Sequence, residues 1–114
     1  MVTINAGDDV FVMIVQLSVA PSDLQGLITD MTAQTESWVR RCTGFISSSF
    51  HASEDGQRLV IYALWRSCAD WEAAMKHPGQ RGIGDALEAA GAEMFEWRGY
   101  TVVRTIGPAP PGTG

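Results

Sequence analysis

Two stretches, VFVMIVQLSV at Val10–Val19 and LVIYALW at Leu59–Trp65, alternate with a period of two and are apolar on both sides of the alternation. Each reads as a strand, and a strand that is apolar on both faces must be covered on both. The sheet holding them therefore needs material packed on each side. A chain of 114 residues, 46% of them hydrophobic, can bury a core without metal or disulfide support. One domain is expected over residues 1–114, with an ordered core from about 9 to 107 and a flexible Pro/Gly tail at 108–114.

The segments around these strands set the element order. Pro21-Ser22-Asp23 is a helix start, and Leu24, Leu27, Ile28, Met31, Thr35, Trp38 and Val39 follow as one inward stripe, with a stop expected near Gly44. Phe45–Ala52 reads as a strand with Phe45, Ser47, Ser49 and His51 on one side and Ile46, Ser48, Phe50 and Ala52 on the other. Glu54-Asp55-Gly56 is a hairpin turn. Ser67-Cys68-Ala69-Asp70 has the spacing of a capping box and opens a short helix that Pro78-Gly79 interrupts. A second helical piece is expected from Gln80 to Ala92 and a last strand from Glu96 to Ile106. Residues 1–8 are polar and expected to be loose.

The order β-α-β-β-α-β predicts an α+β, ferredoxin-like antiparallel sheet with its helices on one face. A second subunit's sheet is the economical cover for the other face, which gives a homodimer of the dimeric α+β barrel type.

Several functions are excluded by what is missing. The net charge of -5, with no basic run longer than Arg40-Arg41, argues against nucleic acid as a partner. The longest apolar run, Val10–Val15, is too short to span a membrane, and the amino terminus has no basic segment of the secretory kind, so a cytoplasmic location is expected. Cys42 and Cys68 read as reduced structural thiols. There is no G-x-S-x-G, no glycine-rich phosphate loop and no C-x-x-C, and a metal site built by one chain would need both histidines, His51 and His77, plus a carboxylate that Asp70 or Glu72 could supply only by accident of geometry. No metal is expected.

The surplus is aromatic and thioether: Trp38, Trp65, Trp71 and Trp97, with Phe11, Phe50 and Tyr62, and Met13, Met31, Met75 and Met94. Such residues are ordinary core material, and they are also what a flat apolar pocket for an aromatic ligand is made of.

With these elements in order, the chain resembles the antibiotic biosynthesis monooxygenase family. The resemblance covers about Val10–Ile106 and is sharpest at Phe50-His51-Ala52-Ser53 and at Tyr62-Ala63-x-Trp65, followed by the helix carrying Trp71. It implies a homodimer with a pocket between sheet and helices in each subunit. It also implies a cofactor-independent monooxygenase that oxidises a polycyclic aromatic, anthrone- or phenol-like polyketide intermediate with O2. Carried over residue by residue, Trp65 orients substrate or an oxygen intermediate, His51 transfers a proton, and Trp71 forms the pocket wall. Tyr62, Ile61, Phe11, Met13, Trp38 and Met75 are the further candidate substrate contacts.

Ile61 stands where that branch of the family has an asparagine. The oxygenase reading then needs a polar contact from elsewhere, with Tyr62, Ser49 and Gln16 as candidates. A non-oxidative polyketide-binding or cyclase-like dimer using the same pocket is the alternative. A haem-binding or haem-degrading relative, with His77 as axial ligand, is a more distant one.

Overall fold

β1 (Phe11–Ser18) and β3 (Arg58–Trp65) pair antiparallel in unbroken register, from Phe11 opposite Trp65 to Ser18 opposite Arg58. β2 (Phe45–Ala52) lies outside β3 and β4 (Glu93–Thr101) outside β1, giving a four-stranded antiparallel sheet in the order β2-β3-β1-β4. The two doubly apolar stretches are thus its central strands, and the arrangement is the α+β ferredoxin-like one. The computed structural model describes residues 10–112. The expected looseness of residues 1–8, and that of the last two tail residues, lie outside them.

Helices α1 (Pro21–Ser37), α2 (Cys68–Met75) and α3 (Gln80–Ala89) pack on one face of the sheet. Leu17, Leu59 and Ile61 are buried there against Leu27 and Met31 of α1 and Ala86 of α3. On the opposite face Val10, Val12 and Leu64 form a smaller buried cluster, with Ile46 and Val102 against it. No described helix covers that face. Tyr62, Phe95 and Tyr100 remain 39%, 47% and 42% exposed on it, and the Arg58 guanidinium lies 4.8 Å above the Phe95 ring.

α1 ends earlier than its apolar stripe suggests. Near its end Thr35 Oγ1 donates to the Met31 carbonyl at 2.9 Å and Ser37 Oγ to the Gln34 carbonyl at 3.2 Å, side-chain bonds that compete with further helix. Trp38 leaves helical geometry at φ −144°, and a single 3-10 turn (Val39–Arg41) leads on. Gly44, at φ +82°, then takes the left-handed conformation expected of it, though beyond that turn. At α2 the Ser67 hydroxyl accepts the Asp70 N–H at 3.1 Å, the forward half of the capping box.

α3 ends at Ala89 instead of Ala92, and β4 begins at Glu93, before the expected Glu96, and ends at Thr101 instead of Ile106. Gly91, at φ +62°, closes α3 with its N–H on the Glu88 carbonyl and the Ala92 N–H on that of Leu87, so the chain enters the sheet at once. A bulge between Gln16 and Leu17 brings Met94 and Glu93 opposite Leu17 and Ser18. The strand ends at Thr101, opposite Phe11, where β1 itself begins.

Candidate active site

The helix-facing side chains of the sheet do not meet the helices everywhere. Between them lies a cavity of about 380 Å³, within the range of about 300–1,000 Å³ typical of small-molecule sites. Met13, Val15 and Leu17 of β1 and Ile61, Ala63 and Trp65 of β3 form its floor. Ser48 and Phe50 of β2 lie on one side, Met94 and Trp97 of β4 on the other. Its roof comes from Met31 and Thr35 of α1, Val39 of the 3-10 turn, Trp71 and Met75 of α2, and Gln80, Ile83 and Leu87 of α3.

Trp65 ends the central strand β3, opposite Phe11 on β1 and Phe45 on β2. Phe45 meets its ring edge-on, with centroids 5.3 Å apart, and Trp65 is only 1% exposed. Its indole Nε1 is buried and has no hydrogen-bond partner among the described residues. An unpaired buried N–H costs about 1–3 kcal/mol, so an acceptor that met it would recover that loss. Trp71, on the first turn of α2, lies 5.7 Å from Phe11 and 6.2 Å from Trp97 between ring centroids.

The polar groups of the lining are few. Thr35 Oγ1 is committed to Met31, and Gln80 Nε2 lies 3.4 Å from both the Ala74 carbonyl and the Met75 sulfur. Ser48, opposite Ala63, keeps its hydroxyl without a described bond. No side chain of the lining ionises near neutral pH.

Of the residues expected at the site, Trp65, Trp71, Ile61, Met13 and Met75 line the cavity, and Phe11 stands behind Trp71. His51 and Tyr62 do not join them. They sit together on the open face of the sheet, edge to face at 5.0 Å. Tyr62 is there by simple alternation with Ile61 and Ala63 on β3, and His51 by a bulge between Phe45 and Ser47: Phe45 faces the helices beside Trp65, whereas Ile46 packs into the opposite cluster and Ser47 pairs with Leu64. Every later side chain of β2 is thereby shifted by one side relative to Phe45. Ser49 and Gln16 share the face of Tyr62, so none of the three expected polar contacts reaches the cavity, and Ser48 is on the cavity side instead.

Trp38 is also elsewhere. Its Nε1 donates to Gln34 Oε1 at 2.8 Å, and its ring stacks on His77 at 4.4 Å beside a separate polar cleft lined by Arg41, Cys42, Asp70 and Lys76. His77 Nδ1 accepts the Gly79 N–H at 2.9 Å, and this histidine lines that cleft and not the apolar cavity. Partial burial raises the Cys42 thiol above its ordinary range, and at Cys68 desolvation and then Glu72 do the same. Both cysteines are free. Ser48 is not among the expected site residues, and Trp97 and Met94 enter the sequence reading only as part of the aromatic and thioether surplus. Trp97 shares a side of β4 with Gly99 and Thr101, opposite Val15, Met13 and Phe11, and the structure turns that side to the helices.

Among the described residues no helix is long and apolar enough to cross a membrane. The chain is 38% identical over 78 residues to tetracenomycin-F1 monooxygenase of Streptomyces glaucescens, covering 68% of this chain and 70% of the relative. It superposes on the ActVA-Orf6 monooxygenase of Streptomyces coelicolor, solved in complex with nanaomycin D, with a TM-score of 0.70 and 26% identity, over 88% of this chain and 91% of that one. SnoaB, a cofactor-independent oxygenase from Streptomyces nogalater, shares the fold with a TM-score of 0.71 at 21% identity, over 86% and 97% of the two chains. Residues 10–85 match the sequence profile of the antibiotic biosynthesis monooxygenases, and the chain belongs to that family.

Proposed function

We propose that this protein is a cofactor-independent monooxygenase that oxidises a polycyclic aromatic, anthrone-like polyketide intermediate with O2. Two observations carry the reading together: Trp65 lines a largely apolar cavity, and its buried indole N–H has no partner among the described residues. The 38% identity to tetracenomycin-F1 monooxygenase supports the substrate class.

The chemistry asks little of the protein. An anthrone loses a proton to give an electron-rich enolate, which passes one electron to O2, and the radical pair combines to a hydroperoxide. Loss of water leaves the quinone: one oxygen atom enters the product, the other leaves as water, and the former CH2 carbon is oxidised to a carbonyl. Trp65 donates a hydrogen bond to the enolate oxygen, a charge-assisted contact of about 1.5–3 kcal/mol. The apolar walls keep water from the radical and peroxide stages. Ile61 supplies packing and no polar contact, and the Ser48 hydroxyl of the neighbouring strand is the substitute on the cavity side.

The working unit is a homodimer in which a second copy covers the open sheet face bearing Tyr62, Phe95 and Tyr100. His51, beside Tyr62, then belongs to the interface and not to proton transfer.

One observation favours a second reading. The cavity lining offers no proton-transfer group, which suits a non-oxidative binder or cyclase equally well. Incubating metal-stripped protein with anthrone in aerated buffer, while following O2 uptake and quinone absorbance, separates the two. Quinone formed above the buffer rate with one O2 consumed per quinone is expected. Binding of anthraquinone with O2 uptake at the buffer rate would establish the binder instead.

A further inference from the structure

Trp97 stands apart from the rest of the cavity lining. It is 59% exposed, whereas Trp65 is 1% exposed, and it lies on β4, beyond residues 10–85 that match the family profile. Trp65 and Trp71 lie within that range.

The two rim tryptophans are held very differently. Trp71 is backed by Phe11, and the Phe11 ring fits only because residue 99 is glycine: a Cβ there would stand 2.5 Å from Phe11 Cε1. Trp97 has no such backing. Opposite Val15 on β1, it meets Trp71 at 6.2 Å between centroids with planes 33° apart. An aromatic ring sandwiched between two others needs them about 7 Å apart, twice the roughly 3.5 Å contact distance. A small outward movement of the exposed ring opens that gap, and Met75 and Met94, 39% and 47% exposed, are adaptable neighbours for the same ligand surface.

We propose that Trp97 is the residue that selects for ring number, its indole stacking on the outer ring of a fused polycyclic ligand and pressing it against Trp71 while the inner ring reaches Trp65. The inference rests on the aromatic-substrate reading above and adds the residue that sets ligand length. A single-ring phenol seated near Trp65 does not extend to the rim and gains nothing from Trp97. A three-ring ligand does.

Isothermal titration of the full-length wild type, Trp97→Ala and Trp97→Phe with 1,8-dihydroxyanthraquinone and with phenol tests this, with circular dichroism as a check on folding. Trp97→Ala is expected to bind the three-ring ligand about tenfold more weakly and phenol within about twofold of wild type, while Trp97→Phe keeps most of the three-ring affinity. Equal three-ring affinity in Trp97→Ala, or an equal loss for both ligands, overturns the proposal. Should Trp97→Ala fail to fold, oxidation of the wild type by N-bromosuccinimide, read by peptide mass spectrometry, decides instead. Protection of Trp97 by the anthraquinone and not by phenol supports the role, and no protection refutes it. Wild-type turnover of anthrone without any Trp97 effect removes this inference alone, whereas a wild type that neither binds the anthraquinone nor oxidises anthrone removes the substrate reading as well.

Discussion

Trp65 and His51, on paired neighbouring strands, present their rings to opposite faces of one sheet, Trp65 into the cavity and His51 against Tyr62 on the open side. Their contributions to turnover should therefore separate cleanly. Trp65→Phe, which keeps the ring and removes the N–H donor, is expected to lower kcat for anthrone about 10- to 100-fold, the worth of one hydrogen bond to a developing oxyanion. His51→Gln should stay within about twofold of wild type. Quinone absorbance under saturating anthrone measures both, and a large loss in His51→Gln would return the imidazole to the mechanism.

Gly44 links the end of the first helical region to β2 at φ +82°, and a Cβ there would collide with the Asp70 carboxylate. Gly44→Ala should cost about 1–2 kcal/mol from backbone strain alone, with the displaced carboxylate adding to it. Adding Asp70→Ala should recover only the share of the steric cost that comes from the carboxylate, because the Asp70 Cβ, 2.6 Å from the new methyl, remains, and it leaves the strain. Urea unfolding of the two variants and wild type gives the comparison, and additive losses would show that the two residues do not interfere.

The β2–β3 turn carries a pH dependence. The Asp55 carboxyl accepts from the Ser53 hydroxyl at 2.6 Å and from the Gln57 N–H at 2.9 Å, and these bonds, the Ser53 one foremost, hold it below its ordinary value of 3.8. A carboxyl depressed by folding adds stability above its unfolded value and loses it as pH falls through the folded one. Asp55→Asn should thus make the decline of Tm below about pH 4 less steep than in the wild type. Thermal melts from pH 7 to pH 2.5 read this directly, and parallel curves would deny Asp55 a part in it.

The open sheet face should close on a second copy. Tyr62→Asp places a charge in the centre of that face, and sedimentation equilibrium is expected to show dimer for the wild type and at least about tenfold weaker association for the variant. A monomeric wild type at micromolar concentration would leave the face without this partner.

Much of the fold could be read from the chain because its punctuation is strong. Ser67, Gly56 and the two doubly apolar runs mark their elements to within a residue or so, and β2 begins and ends where expected. The site was legible only in part. Alternation along β3 tells which residues share a side, but with Ile61, Ala63 and Trp65 as apolar as Val60, Tyr62 and Leu64 it does not tell which side the helices cover. The bulge at Ile46 leaves no mark in residue type, yet it decides that Ser48 and not His51 reaches the cavity. Trp38 fits the helical stripe perfectly well by spacing, and only the early end of α1 turns it outward.

The chemical neutrality of the cavity lining has a consequence for how the protein responds to its surroundings. With no acid or base of its own beside the ligand, the protein contributes no protonation step that could rise or fall with pH. The acidity of the bound phenol or anthrone then sets the rate profile, and two substrates of different acidity should show two different optima on one unchanged protein.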